Sequence, residues 1–369
     1  MMRLTTLANG LRVASRAMPG VETVAVGLYA DVGSRHEPAQ LNGIAHLFEH
    51  MVFKGAGGRS AREISEAIED VGGDLNACTD REGTSFTASL LAEHLPLGIE
   101  LIADMVMRPH FAPDELEREK EVVLQELGEA RDTPSDIIFD DLWSAAYPDQ
   151  PLGRSVLGDE ASVAAIGVDD LHAWRTEHYR AGSLFLVAAG KVDHEALVGL
   201  AEARFADLPP GLVDPPEPAR FGGGIRVGRS RADQAHIAAA MDAPALTAPD
   251  HYAARLFADL TGGGASSRLF QAVREDRGLA YSIWTSLQPY RDAGLFYVYA
   301  ATARRHAQRA AALIAEVMAD AAATASPREV ERAPHRLRLG PHETVTSVAL
   351  ELAPAPRIDE PVIAPGLGD

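Results

Sequence analysis

The amino-acid sequence predicts an α+β protein with two related domains in one chain. A chain of 369 residues is longer than one hydrophobic core usually accommodates and suits two domains. Residues 208–224 contain five prolines and four glycines without a helical or strand period, which predicts a semi-rigid linker. On each side of it the predicted elements follow the order β, α, α, β, β, α, at an offset of about 206 residues. This repetition indicates an internal duplication, in which each domain is a mostly antiparallel sheet packed with helices.

The first half, residues 1–207, has recognisable start signals for its elements. Ser60 and Glu63 form a capping box at the start of one predicted helix. The other predicted helices cover residues 44–54, 95–107, 113–130, 137–146, 169–179 and 194–206, and strands after the first are predicted at residues 11–14, 23–30, 74–79, 84–91 and 183–190.

The second domain is predicted at residues 225–333 and is expected to be incomplete at its C-terminal end. By the repeat offset, a complete second half would end at about residue 415. Residues 334–369 are proline-rich and lack a sustained helical period, which predicts an atypical and partly disordered tail. Strands are predicted at residues 235–241, 280–287 and 294–301, and helices at residues 251–260, 267–277 and 306–322.

Composition excludes several classes of protein. The single cysteine, Cys78, rules out a disulfide scaffold, and the net charge of −19 argues against nucleic acid and anionic membranes as partners. No apolar run approaches the roughly 20 residues that span a membrane. The start of the chain lacks the apolar stretch of a secretory signal, so we expect a bacterial-type cytoplasmic protein. The acid-poor, arginine-containing start is also compatible with an organelle-targeting segment.

Two histidines and a glutamate share one side of a predicted helix. His46 and His50 are four residues apart and Glu49 is three residues after His46, so the three side chains project together. Imidazole and carboxylate groups bind zinc, and zinc sites that do chemistry keep one position open for water. The flanks are apolar, which predicts a buried helix, and buried polar groups need a shared partner such as a metal. The alternative is two surface histidines beside a chance acid, which the apolar flanks disfavour.

A third ligand must come from elsewhere, and the acid-rich helix predicted at residues 113–130 offers candidates. Glu119 and Glu126 both border the apolar stripe of this helix, two turns apart. One of them is expected to bind the metal, and the other to orient a histidine. Spacing alone does not choose between them.

The stretch NGIAHLFEHMVFKG at residues 42–55 closely resembles the M16 family of metallopeptidases, which includes pitrilysin, insulin-degrading enzyme and the mitochondrial processing peptidase. The resemblance implies a LuxS/M16-like fold with one Zn²⁺ per active site. The family's interval from the second histidine to the third ligand selects Glu126, and the family's upstream acid corresponds to Glu119. Glu49 then accepts the proton of the attacking water and delivers it to the departing amine.

Two further segments carry the same resemblance, which extends from about residue 4 to about residue 333. Asn76, Ala77, Cys78 and Thr79 resemble the family's N-A-x-T strand, whose edge pairs with an extended substrate. The stretch SSRLFQAVREDRGLAYSI resembles the family's C-terminal signature. It places Arg274 and Tyr281 at the arginine–tyrosine pair that reaches the substrate from the second domain, with Tyr281 able to donate to the oxyanion.

The resemblance implies a zinc-dependent endopeptidase that hydrolyses extended peptides or unfolded, presequence-like polypeptides. Members of the family enclose substrate between facing domains, so a chain with two domains is expected to form a homodimer or a heterodimer with a related chain. The main alternative is a non-catalytic scaffold or assembly subunit, but such relatives usually lack ligands that are present here. A purely structural zinc is disfavoured, because it would require a fourth protein ligand, most often sulfur.

Overall fold

The structure is a computed structural model that describes residues 2–228 and 232–338. Within these residues the chain forms two units of related construction, each an antiparallel or nearly antiparallel sheet packed with helices. Among the described residues, no helix is both long enough and apolar enough to cross a membrane.

The first unit is built on one large sheet. Its strands are β1 (Met2–Thr6), β2 (Arg12–Ala17), β3 (Thr23–Ala30), β4 (Gly55–Ala56), β5 (Arg59–Ser60), β6 (Asp74–Thr79), β7 (Thr84–Leu91) and β8 (Leu184–Gly190). β4 and β5 form a separate short hairpin, and the others form a six-stranded sheet in the order β1-β2-β8-β3-β7-β6. Neighbouring strands are antiparallel, except that β2 and β8 are parallel. β6 therefore lies at one edge of the sheet.

The helices of the first unit pack against this sheet. They are α1 (Ile44–Val52), α2 (Ala61–Glu69), α3 (Leu95–Met107), α4 (Pro113–Asp132), α5 (Pro134–Ala146), α6 (Glu160–Ala165), α7 (Val168–His178) and α8 (His194–Phe205). All except α5 contribute buried apolar side chains to the largest core, in which Leu28 of β3 and Phe86 of β7 pack with Leu47 and Phe48 of α1. Helix α1 is thus held between the sheet and the other helices.

The second unit follows a stretch from residue 206 to residue 228 that contains no helix or strand. Its elements are β9 (Gln234–Ala243), α9 (His251–Gly262), a π-helical turn (Phe270–Glu275), β10 (Ala280–Pro289), β11 (Gly294–Ala303), α10 (Ala307–Thr324) and α11 (Pro327–Arg338). The strands form an antiparallel sheet in the order β10-β11-β9. This order repeats β6-β7-β3 of the first unit, as an internal duplication requires.

Helix α5 of the first unit attaches the second unit by covering one face of its sheet. Trp143 and Tyr147 are buried with Tyr290 and Leu295 in one apolar cluster. The ring centroids of Trp143 and Tyr290 are 5.3 Å apart, and the Tyr147 hydroxyl donates to the Gly294 carbonyl oxygen at 3.0 Å. The other face packs against α9 and α10. The two units therefore share a continuous apolar contact.

The predicted fold class is confirmed, and β3, β6, β7 and α3 have the predicted bounds. The segment predicted as a helix at residues 267–277 differs, because its centre is a π-helical turn. There the N–H of Asp276 donates to the carbonyl oxygen of Gln271 at 2.9 Å, five residues earlier. A widened turn of this kind has no distinct apolar period, so the pattern predicted only an ordinary helix.

Helix α11 runs through the start of the tail that the sequence predicts at residues 334–369. The helix begins at a capping box, in which the Ser326 hydroxyl donates to Glu329 at 2.7 Å. Arg268 also donates to Glu329 at 2.7 Å, which ties α11 to the second unit. Residues 339–369 lie outside the described residues.

Candidate metal centre

The apolar and the polar side chains of helix α1 lie on different sides of the helix. Leu47 and Phe48 are 0% exposed and pack into the core. His46, Glu49 and His50 are half-buried on the remaining side of the helix. The i, i+3, i+4 spacing therefore brings the three polar groups into one space, as the sequence predicts.

The start of α1 is fixed by a buried carboxylate that the sequence analysis does not identify. Glu37 accepts hydrogen bonds from the N–H groups of Gly43 and Ala45, each at 2.8 Å, and from the Asn42 side chain at 2.7 Å. Burial raises the pKa of Glu37 to about 7, although these hydrogen bonds oppose the shift. The usual helix-start signal is a capping residue directly before the helix, whereas this carboxylate comes from six residues before Gly43.

Helix α4 supplies the acidic side of the centre. Leu116, Val123 and Leu127 are buried and anchor the helix against the core. Glu119 is 5% exposed, whereas Glu126 is half-exposed. The apolar stripe thus turns both carboxylates toward α1, in agreement with their predicted position beside that stripe.

Three donor atoms converge between α1 and α4. Oε2 of Glu126 lies 3.7 Å from Nε2 of His46 and 3.6 Å from Nε2 of His50. The ligand atoms of these three residues all lie within 4.8 Å of one another. They are the single group of at least three such donors within the described parts of the chain. The structure therefore brings together the two histidines and the glutamate that the resemblance selects.

The spacing of these atoms fits a metal ion better than direct contact between the side chains. Separations of 3.6 and 3.7 Å are long for hydrogen bonds. They are close to the roughly 3.4 Å that separates two ligands of a tetrahedral zinc ion with bonds near 2.0–2.1 Å. Burial, with a smaller contribution from His50, lowers the pKa of His46 to about 4, so its ring is neutral at pH 7. A neutral imidazole offers the lone pair that a metal ion requires.

Glu119 lies behind His50, on the opposite side from Glu126. Its Oε2 is 3.1 Å from Nδ1 of His50, and its Oε1 accepts from Nζ of Lys54 at 2.8 Å. A carboxylate only accepts hydrogen bonds, so Nδ1 of His50 carries the proton and Nε2 is left as an acceptor. This contact aims the free nitrogen of His50 at Glu126. Lys54 is a further site residue that the sequence analysis does not assign.

Glu49 lies beside the three donors and contacts the edge strand. Burial raises the pKa of Glu49, and hydrogen bonds from Thr79 oppose that shift. Considering only the described residues, its buried Oε2 has no hydrogen-bond partner, and neither has the buried Nδ1 of His46. Oε2 of Glu49 is thus left to interact with a group that the protein itself does not supply.

The predicted substrate strand is β6, the edge of the first sheet. Asn76 and Cys78 are exposed, while Ala77 and Thr79 are half-buried. Among the described residues β7 is its only partner strand, so one side of the β6 backbone remains open. The Thr79 hydroxyl donates to the Ala45 carbonyl oxygen at 3.4 Å, which joins the end of β6 to helix α1. The open edge therefore passes directly beside the metal centre.

Arg274 and Tyr281 lie together in the second unit. The Arg274 guanidinium is 4.6 Å from the ring centroid of Phe270 and 4.9 Å from that of Tyr281, a cation–π arrangement. Tyr281 is 77% exposed, at a register shift between β10 and β11. In the described parts of the chain, neither side chain has a hydrogen bond, ion pair or ring contact with the metal-centre residues. The structure thus pairs these two residues without bringing them to the centre.

Both units match family models. Residues 12–160 match the model described as Insulinase (Peptidase family M16), and residues 165–337 match the model described as Peptidase M16 inactive domain. Together the two matches cover most of the chain. His46, His50 and Glu126 all lie within the first match.

Curated bacterial proteins and solved structures resemble the chain over most of its length. An uncharacterized zinc protease of Rickettsia bellii is 35% identical over 336 residues, which are 91% of this chain and 82% of the relative. An uncharacterized zinc protease of Mycobacterium tuberculosis is 39% identical over 308 residues, which are 81% of this chain and 70% of the relative.

The structure of a peptidase M16 inactive domain from Pseudomonas fluorescens superposes with a TM-score of 0.89 at 22% identity, covering 95% of this chain and 86% of the other. A protease from Helicobacter pylori gives a TM-score of 0.89 at 21% identity, with 95% and 88% covered.

Proposed function

Because the chain belongs to the insulinase family of peptidases, peptidase family M16, we propose that it is a zinc-dependent metalloendopeptidase. Its substrates are extended peptides and unfolded, presequence-like polypeptides. The observation that carries the proposal is the cluster of two imidazole nitrogens and one carboxylate oxygen within 4.8 Å, with Glu49 adjacent. The names of the curated relatives, zinc proteases, support the same metal and reaction class.

His46, His50 and Glu126 would hold one zinc ion, and their number leaves a fourth position for water or substrate. When bound, zinc supplies Lewis acidity, which lowers the pKa of a water molecule toward neutrality and polarises a carbonyl group. Glu119 keeps the proton of His50 on Nδ1, so that Nε2 remains available as a ligand.

Glu49 is the general base in this proposal. It accepts a proton from the water that attacks the peptide carbonyl, and it later gives that proton to the departing amine. The raised pKa that burial gives Glu49 suits this role, because it makes the carboxylate a stronger base toward the water, and the carboxyl group that forms can still donate the proton to the amine.

The open edge of β6 would bind the substrate by adding it as a further strand. Hydrogen bonds from the β6 main chain carry no information about substrate side chains, which favours broad sequence tolerance. Asn76, Ala77, Cys78 and Thr79 form this edge. Arg274 and Tyr281 would act from the second unit, with Tyr281 donating to the oxyanion, when a peptide bridges the two units.

A second chain would complete the enclosure around the substrate, and we propose a homodimer or a heterodimer with a related chain. A cytoplasmic location is part of the proposal and is supported by the unpaired thiol of Cys78, which needs no oxidising compartment. The rival function, a non-catalytic scaffold or assembly subunit, gives no reason for three metal donors and an adjacent half-buried carboxylate.

The decisive experiment is cleavage of a quenched fluorescent peptide by the purified chain, with zinc content measured on the same sample. Wild type should cleave the peptide, and a chelator should stop it. Glu49→Gln should lose about 10²- to 10⁴-fold in kcat while it retains zinc. Glu121→Gln, a change at an exposed acid of α4, is the matched control. Full activity in Glu49→Gln would exclude the mechanism.

A further inference from the structure

Arg35 is a buried cation at the junction of the two units. It is 2% exposed and follows β3 in the chain. Its Nη1 donates to Glu82 at 2.5 Å and to Asp292 at 2.6 Å. Its Nη2 donates to the other carboxylate oxygen of Asp292 at 2.7 Å and to the Glu217 carbonyl oxygen at 2.8 Å. One side chain therefore binds carboxylates from both units and the linker between them.

These two carboxylates belong to two turns that face each other. Glu82 lies in the β6–β7 turn (residues 80–83), and Asp292 lies in the β10–β11 turn (residues 290–293). The turns also meet directly, since the backbone N–H of Arg291 donates to Glu82 at 2.9 Å. The backbone N–H of Arg35 donates to the carbonyl oxygen of Arg81 at 2.8 Å. The β6–β7 turn is thus held from the second unit and from the first.

The cluster surrounds one buried cation, Arg35, with partly exposed carboxylates. Arg35 and Arg291 pair with three carboxylates, since Asp31 binds Arg291. Burial raises the pKa of Asp292, but the hydrogen bonds from Arg35 and from the Ala219 N–H, together with the positive charge of Arg35, outweigh burial and lower that pKa. Removal of one carboxylate would leave the buried Arg35 charge with a single carboxylate partner, which is costly.

Arg35, Glu82 and Asp292 are called the clamp below. The β6–β7 turn that the clamp holds directly follows the proposed substrate strand, β6. β6 ends at Thr79, whose hydroxyl donates to the Ala45 carbonyl oxygen of helix α1, the helix that carries Glu49. An edge strand with one partner is the part of a sheet that opens most easily. A fixed turn at its end would limit that opening at the point nearest to Glu49. The second unit can therefore affect the metal centre without touching it.

We propose that Arg35, Glu82 and Asp292 are positioning residues, through which the second unit holds β6 and a bound peptide in register with Glu49. The inference rests on the proposed function, because it assigns substrate to the β6 edge. The units are also attached through the apolar cluster of Trp143 and Tyr147, which includes Tyr290 of the same β10–β11 turn and does not depend on the charge of Asp292. Loss of the clamp should therefore loosen β6 without separating the units.

The test compares Asp292→Asn with Asp292→Glu and with a matched control in the purified full chain. The control is Asp320→Asn on helix α10. It weakens a different ion pair between an arginine and an aspartate, the one between Arg268 and Asp320. Asp292→Asn should raise KM for the quenched peptide by about 5- to 30-fold with a smaller change in kcat. Zinc content should stay at the wild-type value. Hydrogen exchange should accelerate in residues 74–83, and Asp292→Glu should recover part of both effects.

Two results would overturn the positioning role. One is a KM and an exchange rate in residues 74–83 that match the Asp320→Asn control. The other is a parallel loss of kcat, zinc and Tm in Asp292→Asn, which would indicate general destabilisation. Absence of chelator-sensitive cleavage by wild type would instead reject the proposed function. Hydrogen exchange would still decide whether the clamp holds β6, because that measurement needs no turnover.

Discussion

Nδ1 of His50 lies 3.1 Å from Oε2 of Glu119, while Nε2 of the same ring faces Glu126 at 3.6 Å. The two glutamates are on one helix, two turns apart, and they contact opposite nitrogens of one imidazole. The first contact fixes the proton and the ring orientation, and the second leaves a lone pair beside a carboxylate. Two glutamates of one helix thus have different roles: Glu119 orients His50, and Glu126 lies beside the nitrogen that is free to bind a metal.

Replacement of Glu126 by Gln should remove a ligand while preserving the shape of the side chain. The neutral amide oxygen binds zinc poorly. Loss of a residue that only hydrogen-bonds a ligand lowers zinc affinity by about 10- to 100-fold, and Glu126→Gln should lower it further than that. Competition with a chromophoric chelator measures this affinity. Glu121→Gln is the control on the same helix, and zinc affinity equal to that of the control would show that Glu126 is not a ligand.

Replacement of Glu119 by Gln should have a smaller effect on zinc. The amide can donate as well as accept, so the proton on Nδ1 of His50 is no longer enforced, and zinc affinity should fall about 10- to 100-fold. The same competition assay applies, with Glu117→Gln as the control at an exposed acid of α4. If Glu119→Gln loses more zinc affinity than Glu126→Gln, the two roles are assigned the wrong way round.

Replacement of Tyr281 by Phe tests the contribution of the second unit to chemistry. The side chain is 77% exposed, so stability should change by no more than about 0.5 kcal/mol. If the hydroxyl donates to the oxyanion, kcat should fall by about 10²- to 10³-fold. Tyr252, which is 78% exposed, gives the matched control Tyr252→Phe. Unchanged steady-state kinetics in Tyr281→Phe would remove this residue from the mechanism.

His36 should make the protein sensitive to acid. Burial, followed by the nearby His178 and Arg291, lowers the pKa of His36 to about 3 from 6.5. The unfolded chain therefore binds a proton that the folded chain excludes between these two pH values. Stability attributable to neutral His36 is complete above pH 6.5 and falls as the pH decreases, by at most about 1.4 kcal/mol per unit.

Denaturant unfolding at pH 7 and pH 5 measures this effect. His36→Gln should show a smaller loss of unfolding free energy between the two pH values than wild type. His94→Gln, at a histidine that is partly exposed to solvent, is the control. An equal loss in wild type and His36→Gln would mean that His36 does not contribute to acid sensitivity.

Local sequence signals predicted most of the fold. The alternation of apolar residues in β3, β6 and β7 and the apolar period of α3 predicted the observed bounds, because side-chain direction alternates along a strand and recurs every 3.6 residues along a helix. The parallel pairing of β2 with β8 was not predicted. That pairing joins segments far apart in sequence, and no local pattern encodes it.

The sequence by itself determined that His46, Glu49 and His50 share one side of a helix, because helical geometry follows from spacing alone. It also determined that the chain carries two copies of one arrangement of strands and helices. Spacing left open whether Glu119 or Glu126 binds the metal, and the resemblance selected Glu126. The tertiary structure alone gave the contacts of these carboxylates with Nδ1 and Nε2 of His50. It also decided that Arg35 joins two distant turns. The physical reason is that such contacts depend on how separate elements pack, and packing distances are set by the whole core rather than by any one segment.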